Sequence, residues 1–283
     1  MPTVDAAGPD ATASSCPAPP TTESAQAIQA LNTLNNVRSL MGVPCAALVP
    51  ALDTSAQKHC DYYAGNASNM MCISNPHAEV AGCAGFVGAS PGTREAAAGY
   101  PSMRGWSEVM AFTGSPTRAD QTWIDSVWHR IPMLSPWTKD MGYGGTTTPA
   151  ACDTIDFGGQ SSAPSTLTAL YPYNGQTGVP TSFNGQYEGP MPPVPPSGWP
   201  SGYPVTLYLQ GGVVQSHQIT VDGTTTPIAH VWIDGTNPTN APDDYFIYTY
   251  TPLKTNTTYH VQIAATQSGM SLSFDWKFTT GAK

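Results

Sequence analysis

Charge is scarce in this sequence. Only 10% of its 283 residues are Asp, Glu, Lys or Arg, and the ten Lys and Arg are too dispersed to form a basic stripe in either half. Met1 to Ser162 hold 13 acidic and 7 basic residues, Ala163 to Lys283 hold 6 and 3, and the net charge is −9. Neutralising phosphates takes clustered cations, so nucleic acid and anionic membrane surfaces are set aside as partners. Long apolar runs are missing too: none approaches the ~18 residues that span a bilayer, so no transmembrane segment is expected. No charged-then-apolar signal region follows Met1-Pro2, as expected of a chain that begins after a removed signal. No C-x-x-C pair, no H-E-x-x-H helix and no cysteine after Cys152 occurs. Those absences exclude zinc-finger and zincin chemistry and an antibody-type inter-sheet disulfide in the second half.

Proline and glycine are plentiful, 28 and 27 residues, which fits a loop-rich secreted protein with short strands. Cys16, Cys45, Cys60, Cys72, Cys83 and Cys152 form an even set confined to the first half. They read as disulfides in an oxidising compartment, with the 15 possible connectivities left open. The expected location is therefore secreted or cell-surface. Residues 1–23, rich in Pro, Ala, Ser and Thr, read as a flexible leader.

Apolar spacing predicts a first helix from Ser24 to Met41, stopped by Gly42 and Pro44, and a second from Leu48 to Tyr63, ended by Gly65-Asn66. His59 falls on the core stripe of the second and reads as a packed, hydrogen-bonded histidine. Cys72 and Cys83 bracket His77 and Glu79, and a disulfide near that loop would stiffen it. Arg94 to Tyr100 is a candidate short helix. Thr117 to Asp120 fits a capping box, which starts a helix at Arg118 with Trp123, Val127 and Ile131 on its core face and Asp125, Ser126 and His129 on another. Pro132 and Pro136 end it. Asp140 to Gly145 and Thr154 to Gly159 read as strands.

After a polar linker over 161–166 the pattern changes. Pairs such as Leu207 and Leu209, Ile219 and Val221, Phe246 and Tyr248, and Phe274 and Trp276 alternate between Gly, Pro, Asn and Asp turns. That predicts an antiparallel β-sandwich of about seven strands over 167–283. His217, His230 and His260 fall on different strands of it and read as surface or partly buried side chains.

Most of the chemistry lies between His77 and His129, in Asn75-Pro76-His77-Ala78-Glu79, Gly105-Trp106-Ser107-Glu108 and Trp123 to Arg130, followed by Gly142-Tyr143-Gly144. In that order these segments resemble the CAP superfamily, the cysteine-rich secretory, antigen 5 and pathogenesis-related proteins, in its bacterial SCP-like form. The resemblance spans 24–160 and implies a three-layer α-β-α sandwich. It also implies a central cleft where His77, Glu79, Glu108, Asp125, Ser126, His129 and Arg130 meet. Many members carry two His and two Glu there. His77, Glu108 and His129 match three, and Ser126 stands where the second Glu is usual, leaving Glu79 to compensate. The stretches Tyr171 to Pro180, Pro252 to Tyr259 and Trp276 to Thr280 resemble bacterial Ig-like domains. The expected class is therefore α+β: a CAP-type sandwich followed by an all-β Ig-like sandwich.

His77 and His129 are the candidate metal ligands, for Zn2+ or another divalent cation, with Glu79 or Glu108 binding directly or through water. Without a metal, the same groups would form a hydrogen-bonded network. The leading expectation is a cleft that binds a small molecule, a lipid or a cell-wall or surface component. A second is a metal-dependent hydrolase with Glu79 or Glu108 as general base, Ser126 being a further catalytic candidate. A third is adhesion through the Ig-like domain. Gly88-Ala89-Ser90-Pro91-Gly92 matches a hydrolase elbow in letters only, because Pro91 has no amide for an oxyanion hole.

Overall fold

The computed structural model describes residues 16–101, 106–159 and 168–282. Residues 1–15 of the expected leader, Gly105 and the expected linker over 161–166 lie outside the described residues. The chain is α+β and richer in strand than in helix. Three disulfides, Cys16–Cys45, Cys60–Cys152 and Cys72–Cys83, take up all six cysteines. The first ties Cys16, inside the expected leader, to the main body, so residues 16–23 are not a free tether.

Helix α1 (Ala25–Leu40) starts where the Ser24 hydroxyl accepts from the Ala27 amide at 3.0 Å. Helix α2 (Pro50–Gly65) starts later than its spacing suggests, because Pro50 enters the first turn and Leu48 belongs instead to strand β1 (Ala47–Leu48). Helix α3 (Pro91–Ala97) is capped by Ser90. Strands β2 (Trp106–Ala111), β3 (Asp140–Thr146) and β4 (Cys152–Gly158) join β1 in a sheet of order β1-β3-β4-β2, with β1 parallel to β3 and the other pairs antiparallel.

Helices cover both faces of this sheet. Met141, Tyr143, Ile155, Phe157 and Val109 alternate onto the face that shares a buried cluster with Ala27 and Leu31 of α1. The opposite face meets α2 at bare backbone. A Cβ at Gly142 or Gly144 would sit 2.1 or 2.2 Å from α2 main-chain atoms, so only glycine fits at either place. The same register puts Glu108 and Asp156 in line with Gly142, beneath α2.

The helix expected from Arg118 through Ile131 is two short ones. Helix α4 (Pro116–Ile124) begins after Ser115 with Pro116 in its first turn and no side-chain cap, and helix α5 (Arg130–Leu134) follows a break. Asp120 does not cap: it is fully buried, and burial followed by the charge of Asp153 pushes its carboxyl well above the usual range. Between the helices the amides of Val127, Trp128 and His129 donate to the Glu188 carboxylate instead of following the helical pattern. The expected core face divides accordingly. Trp123 joins the cluster under the first sheet, while Val127 joins another.

The second half forms two antiparallel sheets. One orders β10 (His230–Ile233), β11 (Asp244–Thr249), β8 (Val205–Leu209) and β5 (Thr168–Tyr171); the other orders β13 (Met270–Thr279), β12 (Thr258–Gln267) and β9 (Gly212–Val221). A two-stranded ribbon of β6 (Ser182–Phe183) and β7 (Ser201–Gly202) was not foreshadowed by any alternating run. Leu207 and Ile247 share a buried cluster with Ile219, Val261, Phe274 and Trp276 of the other sheet. The far face of the four-stranded sheet is covered as well: Phe246, Tyr248 and Ile233 pack with Val127, Trp128 and Phe183. Every residue of β8 and β11 is buried for this reason.

Candidate functional site

Two histidines line one cavity, each held by its own carboxylate, and the two pairs are built differently. The first pair stands over the α2 face of the first sheet. Glu108 of β2 is almost fully buried, and its Oε1 accepts from His77 Nδ1 at 2.8 Å. Its other oxygen accepts from Arg94 Nη2 of α3, a guanidinium with no exposure. Burial alone would raise Glu108, but the His77 hydrogen bond and the charges of His59 and Arg94 outweigh it and hold the carboxyl below its ordinary range.

Behind this pair, His59 bridges Glu79 Oε1 at 3.0 Å and the Pro76 carbonyl at 2.8 Å, both contacts buried. His59 is the packed, hydrogen-bonded residue its place on the helix stripe predicts. Glu79 Oε2 accepts from the amides of Val87 and Gly88 at 2.6 and 3.2 Å. Burial would raise Glu79, and His59, these amides and Arg94 overcome it, so the carboxyl lies low. Two further acids at this face go the other way. Burial, then the Glu108 charge, pushes Glu95 up to about 8 and Asp156 well above the carboxylate range. Burial thus favours the protonated form of both, which limits the negative charge set against one buried guanidinium.

The second pair spans the two halves of the chain. His129 Nδ1 lies 3.2 Å from Glu188 Oε1, and Glu188 also accepts from the Val127, Trp128 and His129 amides at 3.0, 2.5 and 3.3 Å. These amides gather at the break between α4 and α5, and the three-residue 3-10 turn Gly185–Tyr187 delivers Glu188 to them. Glu188 did not stand out from any motif. One signal could have found it: it is the sole Asp, Glu, Lys or Arg between Asp156 and Asp222.

His77 and His129 both line a cavity of about 550 Å³, together with Asp125, Ser126 and Glu188. Its apolar wall comes from Met110, Phe112 and Trp123 of the first half and Phe183 and Tyr187 of the second. Each carboxylate can only accept, so each Nδ1 donates to its carboxylate and the Nε2 is the ring nitrogen not engaged by it.

The other expected cleft residues have different places. Glu79 and Glu108 are held in the buried network and do not line the cavity. Glu79 therefore does not compensate for Ser126; Glu188 supplies the second carboxylate. The Ser126 hydroxyl donates to the Trp123 carbonyl at 2.8 Å, and Asp125 accepts from Tyr203 at 2.7 Å and from Gln121 at 2.8 Å. Arg130 is not a cleft residue. Its buried guanidinium donates to the carbonyls of Ile124 and Pro204 at 2.5 Å each and to Thr206 Oγ1 at 3.0 Å, and stacks over the rings of Tyr171 and Tyr203. It cements the helical part to the four-stranded sheet.

The zinc expectation meets too few donors. Among the described residues no group of three or more His, Cys, Asp or Glu side chains could hold a metal ion. Structural zinc takes four protein ligands and catalytic zinc usually three, so His77 and His129 by themselves do not amount to either kind of site. No described helix is long and apolar enough to cross a membrane.

No protein-family model and no curated protein matches this sequence. Among solved structures it is similar to an outer surface protein from Borrelia burgdorferi, at 18% identity and a TM-score of 0.34, over 47% of this chain and 91% of that one.

Proposed function

We propose that this chain is a secreted or surface-exposed ligand-binding protein of the CAP type with an Ig-like second half, and that its cleft takes an apolar molecule bearing a hydroxyl head. The observation that carries this reading is the placing of two imidazoles, each oriented by its own carboxylate, on one aromatic-walled cavity of about 550 Å³. Their Nε2 atoms suit a hydroxyl, which can donate or accept, and Phe112, Trp123 and Tyr187 suit an apolar body. Hydrolysis is the weaker reading, because Glu79 and Glu108 are committed to buried partners and the Ser126 hydroxyl is spent on a backbone carbonyl. Adhesion by an independent second half is weaker too, since that half supplies Glu188 and part of the cavity wall.

Delipidated protein should enhance the fluorescence of a sterol polyene with a hydroxyl head, such as dehydroergosterol, more strongly than that of the carboxylate polyene cis-parinaric acid. The His77→Ala, His129→Ala double variant should lose at least ~10-fold in affinity for the first probe, the worth of one good hydrogen bond to a buried partner. Binding of neither probe, or equal binding by variant and wild type, would overturn the reading.

A further inference from the structure

A second cavity, of about 470 Å³, lies where α1 and α4 meet the loop after β5, and Asp125 lines it as well as the cleft. Its polar lining is Asn36 of α1, Gln121 of α4, Asp125 and Gln176, and its apolar lining includes Tyr173 and the exposed Leu40. No Lys, Arg or His lines it, so an anion would find no counter-charge there. A wholly apolar molecule would bury the amides unpaired. The volume falls within the ~300–1,000 Å³ of small-molecule sites.

The polar groups are oriented by neighbours and still have bonding capacity to spare. Asp125 Oδ1 accepts from the Tyr203 hydroxyl at 2.7 Å and from Gln121 Nε2 at 2.8 Å, and its Oδ2 takes no hydrogen bond among the described residues. Gln121 is thereby fixed with its Oε1 unspent. In the loop after β5 the Gln176 backbone amide donates to the Tyr173 carbonyl at 3.0 Å, and Gln176 Oε1 accepts from the Tyr173 amide at 3.0 Å, which clamps the side chain against that turn. Its Nε2 donates to the Tyr171 hydroxyl at 3.4 Å and has a second hydrogen to give. Asn36 and Gln121 are exposed, and Tyr173 and Gln176 are half-buried.

We propose that this cavity binds a neutral saccharide. A sugar hydroxyl both donates and accepts, so neighbouring hydroxyls of one ring give to Asp125 Oδ2 and Gln121 Oε1 and take from the side-chain amide hydrogens of Asn36 and Gln176. The flat face of a pyranose carries C–H groups of slight positive charge, which suit the negative face of the Tyr173 ring. An uncharged ligand also suits a cavity whose one charge, Asp125, is already answered by two donors. The imidazoles of the cleft take no part in this site, so it is a second place of binding and does not rest on the reading of the first.

The test presents the full chain with three neutral disaccharides, cellobiose, maltose and N,N′-diacetylchitobiose, at millimolar concentration, followed by saturation-transfer NMR and calorimetry. At least one should receive saturation, most strongly at its ring C–H protons, and this readout requires no variant to fold. The Asn36→Ala, Gln121→Ala double variant alters two exposed helical positions where alanine supports the helix, and it should bind that sugar at least ~10-fold more weakly. The His77→Ala, His129→Ala variant should bind it as the wild type does. Saturation of none of the three sugars, unchanged affinity in the Asn36→Ala, Gln121→Ala variant, or loss of binding in the cleft variant would each overturn the site.

Discussion

The two histidines of the cleft are oriented by carboxylates held in opposite ways. Glu108 is fastened by charge: a buried guanidinium and an imidazole close on it at a sheet face sealed by α2. Glu188 is fastened by backbone: three amides left over where one helix stops before the next begins. The first device is contained in the helical half, and its energy depends on which neighbours are ionised. The second joins the two halves and depends on main-chain geometry. The cleft is therefore a composite whose walls respond to different perturbations.

The contrast is broken most forcefully at Arg94. Arg94→Met leaves Glu79 and Glu108 buried without their cation and should cost about 3–5 kcal/mol, read from urea unfolding. A loss below about 1 kcal/mol would mean that the imidazoles alone hold the acids and that charge is not the fastening. Next comes Glu188→Ala, which strips buried amides of their acceptor and should cost about 2–3 kcal/mol, with Glu188→Gln milder because its carbonyl still accepts. If Ala and Gln are equally damaging, charge matters at this junction too, and the two devices are one.

The smallest effect is in the response to pH. Glu95, raised to about 8 from an ordinary 4.5, keeps its proton in the native state while the unfolded chain has already lost it. The native state thus binds more protons between those values, and this contribution to stability, complete below 4.5, is lost as pH rises through 8. Asp156 acts in the same direction. Glu79 and Glu108, held low, act oppositely: their stabilisation is present above 4.5 and is lost as pH falls through their lower native values. Glu95→Gln should therefore flatten the decline in melting temperature from pH 5 to pH 8. An unchanged slope would remove Glu95 from the network.

Local signals in the sequence carried far. Ser24 and Gly42 bound α1, alternation marks the long strands, and the glycines of Gly142-Tyr143-Gly144 prove to be the places where α2 rests directly on β3. Periodicity also put His59 in the core. Failures came where a distant group overrode a local rule. A helix could be read through Val127 because nothing nearby shows that Glu188 will claim its amide. Arg130 looked like a cleft residue by its proximity to Ser126, but Pro204 and Thr206, far along the chain, take its guanidinium. Arg94 opened the expected helix Arg94–Tyr100, which lies three residues earlier at Pro91–Ala97, and nothing there signalled its ion pairs, since their partners come from a loop and a strand. His77 and His129 lie far apart in sequence, and no spacing rule brings them together; only the family resemblance suggested that they meet.

The buried apolar cluster runs from Leu31 of α1 through Leu207 of β8 to Trp276 of β13 without interruption. The two halves therefore contribute side chains to one buried apolar cluster. Freed from its companion, the second half would lose the Trp128 ring that packs edge-on against Phe246, while the first would lose the acceptor at its helix break.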